Sequence, residues 1–95
     1  VDTQERAELQ KLVSEAEALR EKKHYTEALE CVDRALGIGD QHAGTYNTKG
    51  NVLYDLKRYD EALECYKHAI IDEPKKAYLF YNKGRALSAL KRYDE

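Results

Sequence analysis

The 95-residue chain is predicted to be all-α: antiparallel helix-turn-helix repeats stacked as an α-solenoid. Three observations predict it. The sequence resembles itself at a constant stride of 34 residues. Within each unit, apolar residues recur at three- and four-residue spacing, the period of an amphipathic helix. The breaks inside the units, Lys22-Lys23-His24 and Lys57-Arg58, are too short to join anything but two antiparallel helices.

The stride is read directly from the residues. Ala43 to Glu61, set against Ala77 to Glu95, gives ten identities in nineteen positions, among them Lys49-Gly50 with Lys83-Gly84, and Leu56 to Glu61 with Leu90 to Glu95. Sliding the frame backwards pairs Glu27-Ala28-Leu29-Glu30-Cys31 with Glu61-Ala62-Leu63-Glu64-Cys65. The expected organisation is a single array over 1–95: repeat 1 at about 9–42, repeat 2 at 43–76, a partial repeat 3 at 77–95, and an N-terminal helix extension at 1–8.

The first helix is expected from about Thr3 to Glu21, because Asp2 followed by Glu5 forms a capping-box pattern. Its apolar stripe is Leu12, Ala16 and Leu19. The second helix carries Tyr25, Ala28, Val32 and Ala35, and Gly37 and Gly39 are expected to end it by taking positive φ. The next pair carries Tyr46, Gly50 and Leu53, then Ala62, Tyr66, Ala69 and Ile70. Asp60-Glu61 and Asp94-Glu95 open helices, where acids favour the positive dipole end. Pro74 separates the second unit from the third, and proline is suited to a helix start.

This arrangement resembles the tetratricopeptide-repeat family, whose units are also 34 residues long. The second unit carries the resemblance in Tyr46, Gly50, Leu53, Tyr59, Ala62, Tyr66, Ala69 and Pro74; the third continues it with Phe80, Gly84, Leu87 and Tyr93. The first is more divergent, with Asp40 in the place of the proline. The resemblance implies a right-handed array in which Gly or Ala receives a large neighbour wherever two helices approach closely. The expected packing residues are Ala16, Ala28, Tyr46, Gly50, Leu53, Ala62, Tyr66, Ala69 and Gly84. Ala62→Leu should then overpack the hairpin by about 1–3 kcal/mol, read as a lowered thermal midpoint. Lys49 and Lys83 stand before the glycines where the family often has a branched aliphatic residue, and their stems can pack while the ammonium reaches water.

At 100° per residue, the side of the third helix opposite its packing stripe carries Gly44, Asn47, Thr48, Asn51, Tyr54 and Asp55. In the family fold this side lines the concave surface. The third unit adds Tyr78, Tyr81, Asn82, Arg85 and Ser88, and the first adds Gln10, Val13, Ser14, Glu17, Arg20 and Glu21. Asn and Arg can hydrogen-bond a peptide backbone or carboxylate, and Tyr supplies contact area at low entropic cost, so the partner expected is a protein or peptide. Some family members grip a chaperone C-terminal carboxylate with a Lys, Asn, Asn, Lys, Arg clamp. Asn51 and Asn82 fall on its asparagine places, but Asn47 replaces the first lysine, so the match is partial.

Other function classes find little support. A net charge of −2 with interspersed acids and bases lacks the footprint of nucleic-acid binding, and 36% charged residues leave no stretch for a membrane span. Cys31 and Cys65 occupy the same place in successive units and are expected as free thiols in a cytoplasmic protein. Cys65 and His68 lack a second ligand pair, so no metal, no cofactor and no catalytic residues are expected, and the chain is read as no enzyme. The stop within the third unit suggests a longer parent, or self-association into a homo-oligomer through the side of the last helix that bears Phe80, Leu87 and Leu90. The alternative role is a structural spacer in a larger protein.

Overall fold

The computed structural model describes residues 2–39 and 42–91, and every regular element within them is an α-helix. In chain order these are α1 (Thr3–Glu21), α2 (Tyr25–Gly37), α3 (Ala43–Asp55), α4 (Tyr59–Asp72) and α5 (Ala77–Leu90). Asp40, Tyr93 and the Asp94-Glu95 pair, to which the sequence assigns roles, lie outside the described residues. The most extensive contacts are α3 with α4 and α1 with α2, followed by α4 with α5 and α2 with α3. Sequential hairpins therefore stack into an elongated body of 42 × 28 × 18 Å.

Local chemistry sets the helix ends. At α1 the Asp2 side chain accepts a hydrogen bond from the Glu5 amide at 2.7 Å, and Glu5 accepts one from the Asp2 amide at 3.2 Å, completing the capping box. The start of α3 is closed from a distance: the Ala43 amide donates to Asp72 Oδ2, at the far end of α4, at 2.9 Å. This satisfies one of the first-turn donors and ties the two ends of the hairpin together. Gly39 takes φ +110° after α2 as the sequence suggests, whereas Gly37 stays inside the helix as its last residue. Pro74 does not begin α5. It lies in the turn before the Lys76 cap, and Glu73, immediately before it, leaves the α region, which the proline ring disfavours, for φ −131° and ψ 75°.

The tight turns inside the hairpins share one device. After α1, His24 N–H bonds Leu19 C=O at 2.8 Å and Lys23 N–H bonds Arg20 C=O at 2.9 Å; after α3, Arg58 bonds Leu53 and Lys57 bonds Tyr54 at the same distances. These are Schellman closures, which need a left-handed residue, and Lys23 and Lys57 supply it at φ 65° and 63°. Lys91, one stride on, has φ 58°. Because a side chain in this conformation costs about 1–2 kcal/mol relative to glycine, part of which glycine's flexibility takes back, Lys57→Gly is expected to raise stability by about 0.5–1 kcal/mol. Thermal unfolding should show a gain of roughly 3–6 °C.

The core follows the alternation of small and large residues. Ala16, Ala28, Ala35, Ala62, Ala69 and Ala86 are wholly buried, and so is Tyr66, the largest side chain without solvent exposure. A Cβ built on Gly50 would lie 2.5 Å from Tyr66 Cε1, so the ring of α4 occupies the space that any side chain at this position of α3 would need. Tyr46, half-buried, packs on this core and stacks on His68, with centroids 4.8 Å apart and planes at 10°. Leu87 is buried against the same core, and not exposed as the sequence suggests, because α5 lays it against α4.

Gly84 departs from the expected packing. A Cβ there would meet nothing within 4 Å, and the residue is exposed. Among the described residues, none stands to Gly84 as Tyr66 stands to Gly50.

Candidate functional site

The first helices of successive hairpins, α1, α3 and α5, meet along the inner side of the array. Arg20 Nε on α1 lies 2.6 Å from Asp55 Oδ2 on α3, and Asn82 Nδ2 on α5 donates to Asn47 Oδ1 on α3 at 2.8 Å. Both pairs are 35 residues apart, the repeat stride plus one. Within the second hairpin, Tyr66 O–H donates to Asn51 Oδ1 at 2.6 Å. Burial raises the Tyr66 phenol well above its ordinary range, so at every physiological pH it remains a donor.

These bonds revise the reading of the expected ligand-contacting residues. Thr48 is buried, with its hydroxyl donating to the Gly44 carbonyl at 3.0 Å, and Asn82 is buried beside Asn47, so each presents only a little surface. The physical reason is that α1 and α5 press on both flanks of α3, leaving a narrower inner face than one isolated helix presents. Asn47, Asn51 and Asp55 are half-buried and spend one acceptor each on the array itself. Each asparagine retains the rest of its amide for a partner. Tyr78 and Tyr81 are 48% and 69% exposed. Tyr54 packs edge-on against Tyr59 and carries the Arg85 guanidinium 4.3 Å above its ring, with Tyr81 at 5.9 Å from the same group. That stacking holds Arg85 in place without consuming its hydrogen bonds.

A groove of about 630 Å³ opens between α1 and α3. Its α1 wall is Gln10, Val13, Ser14 and Glu17, and its α3 wall includes Gly44 and Thr48. Arg6, Leu9, His42 and Thr45 complete it and were not singled out in the sequence. Arg6 was legible, since 6, 10, 13 and 17 fall on one helical ridge, but it belongs to the stretch taken as an extension; His42 sits at a unit boundary, where periodicity says nothing.

Outside the groove, Lys49 does not simply reach water: its Nζ lies 2.8 Å from Asp33 Oδ1 on α2. Burial opposes the charge most, but the hydrogen bond to Asp33 together with the charges of Asp33 and Glu61 holds the ammonium pKa above its usual value. Arg58 grips Glu61 with two hydrogen bonds of 2.6 and 2.8 Å at the start of α4 and holds that carboxyl below its usual range. Cys31 and Cys65 are free and buried. Among the described residues no group of three or more His, Cys, Asp or Glu is gathered as a metal site, and no helix is long and apolar enough to cross a membrane.

Burial pushes the Cys65 thiol up to about 11. With Cys31→Ser as background, Cys65 should react with a thiol reagent at pH 8 at least about tenfold more slowly than free cysteine, because only the thiolate attacks. The unfolded chain loses this proton near 9 and the folded one near 11, so stability should fall as pH rises across that window. Labelling kinetics and thermal scans against pH check both.

Two family models match the chain. One, described as TPR repeat, matches residues 50–94. The other, described as anaphase-promoting complex, cyclosome, subunit 3, matches residues 3–69, more than half of the chain. The chain belongs to the tetratricopeptide-repeat family. No curated protein matches it. Tetratricopeptide repeats generally mediate protein–protein interaction and act as non-catalytic modules. The polar links on the α1–α3–α5 side join one tetratricopeptide unit to the next.

Proposed function

We propose that this array binds a peptide or protein segment on its concave face and carries no catalysis of its own. The single observation behind this reading is the groove between α1 and α3, whose lining combines apolar Leu9 and Val13 with polar Gln10, Ser14 and Glu17. Pockets that bind chains in extended or helical form share this combination: apolar surface for affinity, a few polar groups for register. Asn51, Tyr81 and Arg85 extend the same face toward α5. The partner class is protein, with neither nucleic acid nor membrane, and the setting is cytoplasmic. The alternative, a spacer or self-association segment, would leave the groove unused.

Selection of a displayed random-peptide library on the chain tests this. Peptides enriched on the wild type should lose binding to a Ser14→Arg, Glu17→Arg variant and keep it on Glu30→Arg, which alters an exposed residue of α2 outside the groove. No enrichment, or enrichment indifferent to the groove substitutions in a variant with unchanged circular dichroism, would favour the spacer.

A further inference from the structure

The side shared by α1, α3 and α5 divides its hydrogen-bonding groups unevenly. Asn47 and Asn51 each spend their side-chain oxygen inside the array, accepting from Asn82 Nδ2 at 2.8 Å and from the Tyr66 hydroxyl at 2.6 Å. What each keeps for a ligand is its NH2 group, which can only donate. Arg85, half-buried on α5, adds further donors. Its guanidinium lies 4.3 Å from the centre of the Tyr54 ring and 5.9 Å from that of Tyr81, and among the described residues no carboxylate pairs with it. The rings hold the plane of the group and leave its N–H edge unspent.

Charge has the same bias. The Tyr66 phenol is raised chiefly by burial, and the charges acting on it include Arg85 and Arg20 ahead of Asp55, so two guanidiniums face one carboxylate around the hydroxyl that Asn51 holds. That carboxylate is already gripped by Arg20 at 2.6 Å. Helix α5 carries Lys83 and Arg85 and no acidic residue, whereas α1 brings Glu17 to the opposite flank. An anion is therefore attracted to the α3–α5 half and repelled at the α1 flank. Resting on the peptide-binding reading above, we infer that the α3–α5 half of this side is a subsite for an anionic side chain within the bound peptide, a carboxylate or a phosphate, which takes the N–H edge of Arg85 and the amide of Asn51. The chaperone-type clamp is a different device, because it grips a chain terminus. Here Asn82, on one of its asparagine places, is buried with its amide given to Asn47, which itself stands where the first lysine belongs.

Two probes test this. Phenyl phosphate is titrated into the isotope-labelled full chain and followed by NMR at the Arg85 Nε–H and Asn51 NH2 signals. Saturable shifts at these groups are expected. Arg85→Gln should abolish them; should that variant fold poorly, Arg85→Lys replaces it and should weaken them, because lysine keeps the charge but not the fork. Arg34→Gln, which removes an exposed guanidinium of α2, should leave them unchanged. In the second arm, each acidic residue of the library-selected peptides is replaced by its amide. One such replacement should weaken binding to the wild type about tenfold or more and barely alter binding to Arg85→Gln, the mark of a direct pair. Phosphoserine at that place should restore binding, and amidating the peptide C-terminus should change nothing. The inference is overturned by the absence of saturable shifts, by shifts that survive Arg85→Gln, by affinity lost on C-terminal amidation alone, or by saturable binding of a single-stranded oligonucleotide at the same signals. Peptides that depend on Ser14 and Glu17 yet ignore Arg85→Gln sink this inference and leave the proposed function standing. No enrichment of any peptide sinks both.

Discussion

Replacing Tyr66 by alanine should destabilise the protein by about 3–5 kcal/mol, the range for removing a large buried aromatic side chain. Domains of this size have a total stability of only about 5–15 kcal/mol, so the variant should sit close to the unfolding threshold. Three losses combine. The ring has no solvent exposure and forms the centre of the largest core cluster; the space over Gly50 becomes a void; and Asn51 Oδ1 loses its 2.6 Å partner. Tyr66→Phe separates them, keeping the ring and deleting only the hydroxyl, and should cost about 1 kcal/mol. Urea denaturation of the three proteins measures both. If alanine and phenylalanine cost the same, the ring is not filling the glycine site, and the packing scheme is wrong.

Gly50→Ala is the second large effect, and its sign is the less obvious one. Alanine is worth about 1 kcal/mol more than glycine inside a helix, so the substitution would stabilise an unobstructed position. Here the added carbon lies 2.5 Å from Cε1 and 2.9 Å from Cδ1 of a ring that is buried on all sides and anchored through its hydroxyl. Neither helix can give way without disturbing the core, and overpacking of this kind typically costs about 1–3 kcal/mol. The net expectation is a loss of up to about 2 kcal/mol, seen as a Tm lower by up to roughly 15 °C. Gly84→Ala serves as the internal control: the same helix position with open space should gain stability. The double variant Gly50→Ala, Tyr66→Leu should be less destabilised than the sum of its parts, because the smaller side chain vacates the contested space.

Much of the fold was legible because the stride repeats chemistry as well as length. The hairpin breaks, the capping box at Asp2 and the small-residue positions at Ala16, Ala28, Ala62 and Ala69 follow from local pattern and propensity. The turn conformation did not. A left-handed residue at a helix end is normally announced by glycine, and Lys23 and Lys57 stand there instead, held by the closures on either side.

The side shared by α1, α3 and α5 can be read from the sequence as a set of residues but not as a surface. Helical geometry places Thr48 and Asn82 on the inner side, yet their burial depends on how closely α1, α3 and α5 approach, which no single helix encodes. Gly84 shows the same limit from the other direction. Its identity with Gly50 is exact in sequence and opposite in environment, because a glycine's role belongs to the helix that packs on it.

The ladder along the inner face has a mechanical consequence. One link joins α1 to α3, Arg20 to Asp55, and another joins α3 to α5, Asn47 to Asn82. Each junction thus carries its own polar link between neighbouring hairpins, like the coils of a spring pinned separately. A partner wedged into one opening would have to release a single latch, and the neighbouring turn would keep its own pitch.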